Sequence, residues 1–123
     1  MDNYEKVVNI DLELHNDATA NDRERYDAAL PIISLRLFKK NMGSWMGRET
    51  SAIVPEDGYI LSNYWYVLES CMQKAKKEIE EVVQNFNLGK FTRITVSHPV
   101  DYGEDFKLEL EETKTLEWFW DKN

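Results

Sequence analysis

Cysteine is almost missing from this chain of 123 residues, in which Cys71 stands alone. A single thiol excludes an internal disulfide framework and a cysteine-rich zinc site. Histidine is nearly as scarce, and His15 and His98 fall in no HExxH or other metal-ligand spacing. Basic residues are in deficit, with 15 Lys and Arg against 23 Asp and Glu and a formal charge of -8. That deficit speaks against a general nucleic-acid binder, which needs a basic face for the phosphates. It also speaks against attraction to an anionic membrane surface. No apolar run approaches the length of a membrane span, and the acidic start Met1-Asp2-Asn3-Tyr4-Glu5 does not read as a secretory signal. Phosphate-cradling GxxxxGK[ST] and GxGxxG turns are missing as well. Oxygen ligands do occur over residues 17–22, but an EF-hand loop counted from Asp17 needs glycine and glutamate where Asp22 and Ala28 stand. The expectation is a cytoplasmic protein with no metal and no cofactor.

What is present is globular. The chain is 42% hydrophobic and 12% aromatic, and its length suits one domain over residues 1–123. Val8, Ile10, Leu12 and Leu14 alternate with Asn9, Asp11 and Glu13, the period-two signature of a half-buried strand over 7–14. A polar stretch follows, with room for a helical turn over 22–29. After Pro31, Ile33, Leu35 and Leu37 alternate with Ser34 and Arg36, which predicts a second strand over 32–40, antiparallel to the first. The two glycines of 41–48 read as a loop, and 50–54 as a short third strand stopped by Pro55.

Three- and four-residue spacing of Tyr64, Trp65, Leu68, Cys71, Met72, Ala75, Ile79, Val82, Val83 and Phe86 predicts one long helix over 62–86. Ser62 is placed to cap it and Gly89 to end it. Three Lys-to-Glu i,i+4 pairs, Lys74–Glu78, Lys76–Glu80 and Lys77–Glu81, mark its solvated side. Period two returns over 91–98, again over 106–111 after a turn at 99–105, and last over 115–120. The sum is an α+β fold, a mostly antiparallel β-sheet packed on one long α-helix in the order ββ(β)αβββ, a two-layer sandwich. No repeat, low-complexity tract or linker interrupts it.

Catalytic chemistry finds little to work with. Cys71 with His98 and Asp101 would make a nucleophile, but a thiol on the apolar face of a helix is the expected small core residue. His15 and His98 stand at strand ends, where solvated side chains are the ordinary outcome. A protein that is not an enzyme is the expectation.

Charge distribution says more. From Val100 onward eight acids face three bases, so -5 of the net -8 lies in the last 24 residues. Asp11 and Glu13 are the outward positions of the first strand, and Glu109 and Glu111 of the penultimate one. If those strands share a sheet they make an acidic face, edged by Trp118 and Trp120. Such a surface either aids solubility or binds a partner. Arg36, Lys39, Lys40 and Arg48 form the opposite anomaly, a run from 36 to 48 with no acid, carrying Trp45 between two glycines. It reads either as an edge strand protected by cations or as a cradle for phosphates with Trp45 stacked on a base.

Two functions follow as expectations. The first is a non-enzymatic inhibitor that neutralises a basic protein target, such as a toxin-immunity protein or a phage anti-defence protein. It would use Asp11, Glu13, Glu109, Glu111, Trp118 and Trp120. The second is a binder of a nucleotide-type small ligand, or a sequestering oligomer, using Arg36, Lys39, Lys40, Trp45 and Arg48. An exposed sheet face or the 118–120 edge offers a surface for a homodimer or higher oligomer.

Overall fold

The computed structural model describes residues 6–15, 17–52, 59–102 and 105–115. Over 51–52, 59, 98–102 and 105–115 the description is of the backbone. Seven elements follow one another: β1 (Val7–Leu14), α1 (Ala20–Lys39), β2 (Gly43–Ala52), β3 (Tyr59–Leu68), α2 (Met72–Asn85), β4 (Thr92–Tyr102) and β5 (Asp105–Thr115). The strands form one antiparallel sheet in the order β2-β3-β1-β4-β5. β1 is central, with Ile10 opposite Trp65 of β3 on one side and Val96 of β4 on the other. The helical connection β1-α1-β2 steps over β3, and β3-α2-β4 steps over β1. These are two interleaved split β-α-β units, to which β5 adds an outer strand. Among the described residues no helix is long and apolar enough to cross a membrane.

The strand expected over 7–14 forms as β1, and its alternation sorts the two faces of the sheet. Val8, Ile10, Leu12 and Leu14 are buried with Leu61, Trp65 and Val67 of β3 and Ile94 and Val96 of β4. Tyr26, Ala29, Ile33 and Leu37 of α1 and Ala75, Ile79, Val82 and Val83 of α2 join the same cluster, so both helices cover this one face. The other face of β1 carries Asn9, Asp11 and Glu13. The α+β class with a sheet packed on helix is therefore as expected, whereas the element order and the number of helices are not.

Residues 32–40, expected as a strand, are the second half of α1. A capping box starts this helix: Thr19 Oγ1 accepts from Asp22 N at 3.1 Å, and Asp22 Oδ2 accepts from Thr19 N at 2.9 Å. Its buried residues are Asp22, Tyr26, Ala29, Ile33 and Leu37, a stripe at intervals of three and four. The alternation of Ile33, Leu35 and Leu37 misleads because Leu35 is 53% exposed. Pro31, read as preceding that strand, sits inside the helix on an exposed flank, where the hydrogen bond it cannot make is lost next to solvent.

The single helix expected over 62–86 is instead a strand and a helix. Over 61–68 Leu61, Asn63, Trp65 and Val67 are buried on one side, while on the other the small Ser62 is buried and Tyr64, Tyr66 and Leu68 are only half-buried. That is period two in a segment rich in Tyr, Trp and Val. A 3₁₀ turn over Glu69–Cys71 separates it from α2, so Ser62 caps nothing and Cys71 is the N-cap residue, half-buried against the core. α2 ends before Asn87, whose φ of 56° supplies the left-handed step expected of Gly89.

The segment 41–48, expected as a loop, holds the left-handed Asn41 (φ 55°) and then enters β2, which also takes in the start of the short strand expected over 50–54. Gly43 belongs there because β3 lies so close. A Cβ at 43 would lie 2.2 Å from the Tyr66 carbonyl oxygen. β4 runs on through Pro99 to Tyr102 and β5 begins at Asp105, leaving a shorter turn than expected. Of the strand expected over 115–120, Thr115 ends β5 and the rest lies outside the described residues.

The helical reading of 32–39 makes a clear prediction. Leu37→Ala, deep in the core, should cost about 2–5 kcal/mol, and Leu35→Ala, in solvent, less than about 0.5 kcal/mol. Urea midpoints of the two variants check it, since a strand with both residues on one face would make the costs alike.

Candidate functional site

The two proposed residue sets meet different fates. Of the basic set, Arg36 donates to Glu78 at 3.3 Å and to Glu81 at 3.1 Å, and Lys40 pairs with the same Glu78. These contacts strap α1 to α2. The Lys40 ammonium, helped by Arg36, holds the Glu78 carboxyl below its usual range. Arg48 pairs with Asp27 of α1, and Lys39 is exposed. Trp45 is 49% exposed and donates through Nε1 to Asn63 Oδ1 at 3.1 Å. Only Trp45 and Arg48 meet in one place, a mostly apolar cleft of about 570 Å³ with Leu30, Pro31, Ser34 and Asn63.

Hydrogen bonds tie the cleft floor into the sheet. Asn63 Nδ2 donates to Tyr26 Oη at 2.9 Å, and Tyr26 Oη donates to the Leu12 carbonyl at 2.7 Å. Burial pushes the Tyr26 hydroxyl far above its ordinary pKa, so it stays a neutral donor. This relay ties Trp45 on β2 to the central strand.

Of the acidic set, Asp11 and Glu13 stand together on the face of β1 turned away from the helices. Glu109 pairs in register with His98, an odd step along β4 from Thr95, the partner of Asp11. Glu111 falls at the register shift opposite Val96 and Ser97. Their side chains, and the whole of Trp118 and Trp120, lie outside the described residues. His15 is buried rather than solvated, and its Nδ1 accepts from Asp17 N at 2.9 Å. No group of three or more His, Cys, Asp and Glu side chains arranged to hold a metal occurs among the described residues.

Asp11 and Glu13, two residues apart on one strand, are treated very differently. Glu13 receives Arg93 Nη2 at 3.1 Å and the Thr95 hydroxyl at 2.5 Å, both from β4. Asp11 receives an amide, Asn9 Nδ2 at 2.8 Å, and no cation pairs with it among the described residues. Burial raises its pKa to about 6, an effect the Asn9 hydrogen bond opposes and the charges of Glu13 and Glu49 reinforce. Tyr64 lies directly across from Asp11 on β3, and Tyr66 across from Asn9. Their ring centroids are 6.1 Å apart.

A half-buried acid bordered by tyrosines and lacking a cation is therefore the electrostatic peculiarity of this face. Asn9, Tyr64, Tyr66 and Glu49 were not found from sequence. The helical spacing expected over 62–86 takes in both tyrosines, and Glu49 falls between the loop expected over 41–48 and the strand expected over 50–54. Alternation of Tyr64 and Tyr66 about the apolar Trp65 was the signal available.

No family model matches the chain, and neither a curated protein nor a solved structure is significantly similar to it.

The raised pKa has a thermodynamic consequence. In the unfolded chain Asp11 ionises near pH 3.8, and in the folded protein near pH 6. The unfolded state thus gives up this proton first, and stability present below pH 3.8 is lost as pH rises toward 6. After allowance for the water that still reaches the group, the loss is about 1–2 kcal/mol. Asp11→Asn should be more stable than the parent by that amount at pH 7.5 and show no advantage at pH 3.5. Denaturant titrations at the two pH values check this.

Proposed function

We propose that this chain is a non-enzymatic binding protein that neutralises a basic protein target through the sheet face carrying Asp11 and Glu13. Half-buried Asp11, with no cation paired to it among the described residues, is the observation that carries the reading. Its charge destabilises the folded protein on its own, and a cationic partner would relieve that cost. The flanking tyrosines add amphipathic contact area of the kind that anchors interfaces. The net charge of -8 would speed the approach of a basic partner. A toxin or a host-defence effector with a basic cleft is the class of target in view, encountered in the cytoplasm. Glu111 and the aromatic pair Trp118 and Trp120 extend this proposal along the chain, whereas the register of Glu109 with His98 takes it out of the face shared by Asp11 and Thr95.

Affinity capture from the native host should return one basic protein in stoichiometric amount. The purified pair should then bind at least about a hundredfold more weakly when Asp11 and Glu13 are both changed to Lys, as calorimetry would show. Undiminished binding by that double variant would reject this face as the site.

A nucleotide-type ligand is the second reading, favoured by one observation: the cleft of about 570 Å³ brings Trp45 and Arg48 together. Arg36 and Lys40 do not line it, and Arg48 already has Asp27. A screen of nucleotides and cyclic dinucleotides by thermal shift supports this reading if one raises the melting temperature and Trp45→Ala removes the effect. No shift with any of them counts against it.

A further inference from the structure

The Asn9 side chain is 3% exposed, and its two ends are unequally satisfied. Nδ2 donates to Asp11 Oδ1 at 2.8 Å and to Ser97 Oγ at 3.4 Å. Oδ1 is buried and has no hydrogen-bond partner among the described residues. Turning the amide over would not cure this, because it would set the amide oxygen against the Asp11 carboxylate. The carboxylate therefore fixes the orientation that leaves Oδ1 without a donor. A buried acceptor without a donor costs free energy, and its retention calls for a reason.

Two acceptors thus lie on one strand face, one without a cation and one without a donor among the described residues. Tyr64 and Tyr66 stand across from them on β3. The missing component is a positively charged donor small enough to reach a buried oxygen. A guanidinium is a broad planar fork, whereas an ammonium is compact, has three donors and sits on an unbranched stem. Aromatic rings beside such a group add cation–π attraction.

We propose that Asp11 and Asn9 form a receptor for a lysine ammonium of the basic partner, held by the Asp11 carboxylate and Asn9 Oδ1 and bordered by Tyr64 and Tyr66. The inference rests on the reading of this face as the partner-binding surface. It adds a pH dependence, because the ammonium needs Asp11 ionised. The groups facing Asp11 are Glu13 on its own strand, Glu49 on β2, Tyr64 on β3 and, on β4, Thr95 with the Arg93 held by Glu13. With a pKa of about 6, Asp11 is about one-tenth ionised at pH 5. Affinity should therefore fall about tenfold between pH 7.5 and pH 5.

The test is titration of the isotope-labelled protein with an end-blocked tetralysine peptide, its Nε-acetylated form and a tetra-arginine peptide, followed by NMR and calorimetry. The expected result is that tetralysine shifts the Asn9 side-chain amide signals and the acetylated peptide does not. Asp11→Asn, an isosteric change expected to fold at least as well as the parent, should weaken tetralysine binding tenfold or more. Equal binding by Asp11→Asn, equal binding of the acetylated peptide, or an unmoved Asn9 amide would each overturn the proposal. Equal displacement of the Asn9 amide by tetra-arginine would overturn the choice of lysine. The two levels of argument fail separately. A natural partner lost on double charge reversal but unaffected by Asp11→Asn leaves the basic-partner reading standing and removes the lysine receptor. A partner unaffected by the double reversal removes both.

Discussion

The central strand carries the organising constraint. β1 is hydrogen-bonded on both edges, so its position in the middle of the sheet is set by two registers at once. Its helix side must be fully apolar to meet α1 and α2, and Val8, Ile10, Leu12 and Leu14 are. The same pleat sends Asn9, Asp11 and Glu13 to the other side, where neighbouring strands partly remove them from water. A charged residue in the middle of a sheet is desolvated by geometry alone, and whether it is stabilised depends on what adjacent strands bring to it. β4 brings Arg93 and Thr95 to Glu13, while β3 brings Tyr64 to Asp11. From that difference comes the unusual electrostatics of the face.

The cations of the chain explain the rest of its surface. Most of those singled out by local charge serve the architecture. Arg36 and Lys40 bind α1 to α2 through Glu78 and Glu81, and Arg48 binds β2 to α1 through Asp27. Arg25 of α1 reaches the C-terminal carbonyls of α2 at Phe86 and Asn87. A run of bases without acids in sequence thus becomes a set of ion pairs across elements, because helices and strands distant in sequence supply the acids. Local charge density is therefore a poor guide to a phosphate site here. On the helix side these ion pairs join elements to one another, while on the outer face of β1 Glu13 is paired with Arg93 and Asp11 has no cation among the described residues.

Where period and burial agree, as in β1, the segment is legible from sequence alone. The same holds for the second half of the expected helix, where Ala75, Ile79, Val82 and Val83 keep helical spacing, and for β4, whose Thr92, Ile94 and Val96 alternate. The misreadings share one cause. Ile33, Leu35 and Leu37 satisfy both periods over a short window, and only burial separates Leu37 from Leu35. Over 62–68 nearly every residue is apolar or aromatic, so helical spacing can be drawn through it, although its outer tyrosines show the strand. Gly43 suggested a loop, but glycine also serves where two backbones come close, and that requirement lies on the partner strand.

By itself the sequence determined the class: an acidic chain with an α+β fold and Asp11 and Glu13 on the polar side of its first strand. It also determined the scarcity of thiol and imidazole chemistry, since residue types are intrinsic to the chain. Tertiary structure alone decided which charges are compensated. The partners of Asp11, Glu13, Arg36 and Arg48 mostly come from elements tens of residues away. Pairing energy depends on distance and on exclusion of water, and neither quantity is defined until the sheet and helices have assembled.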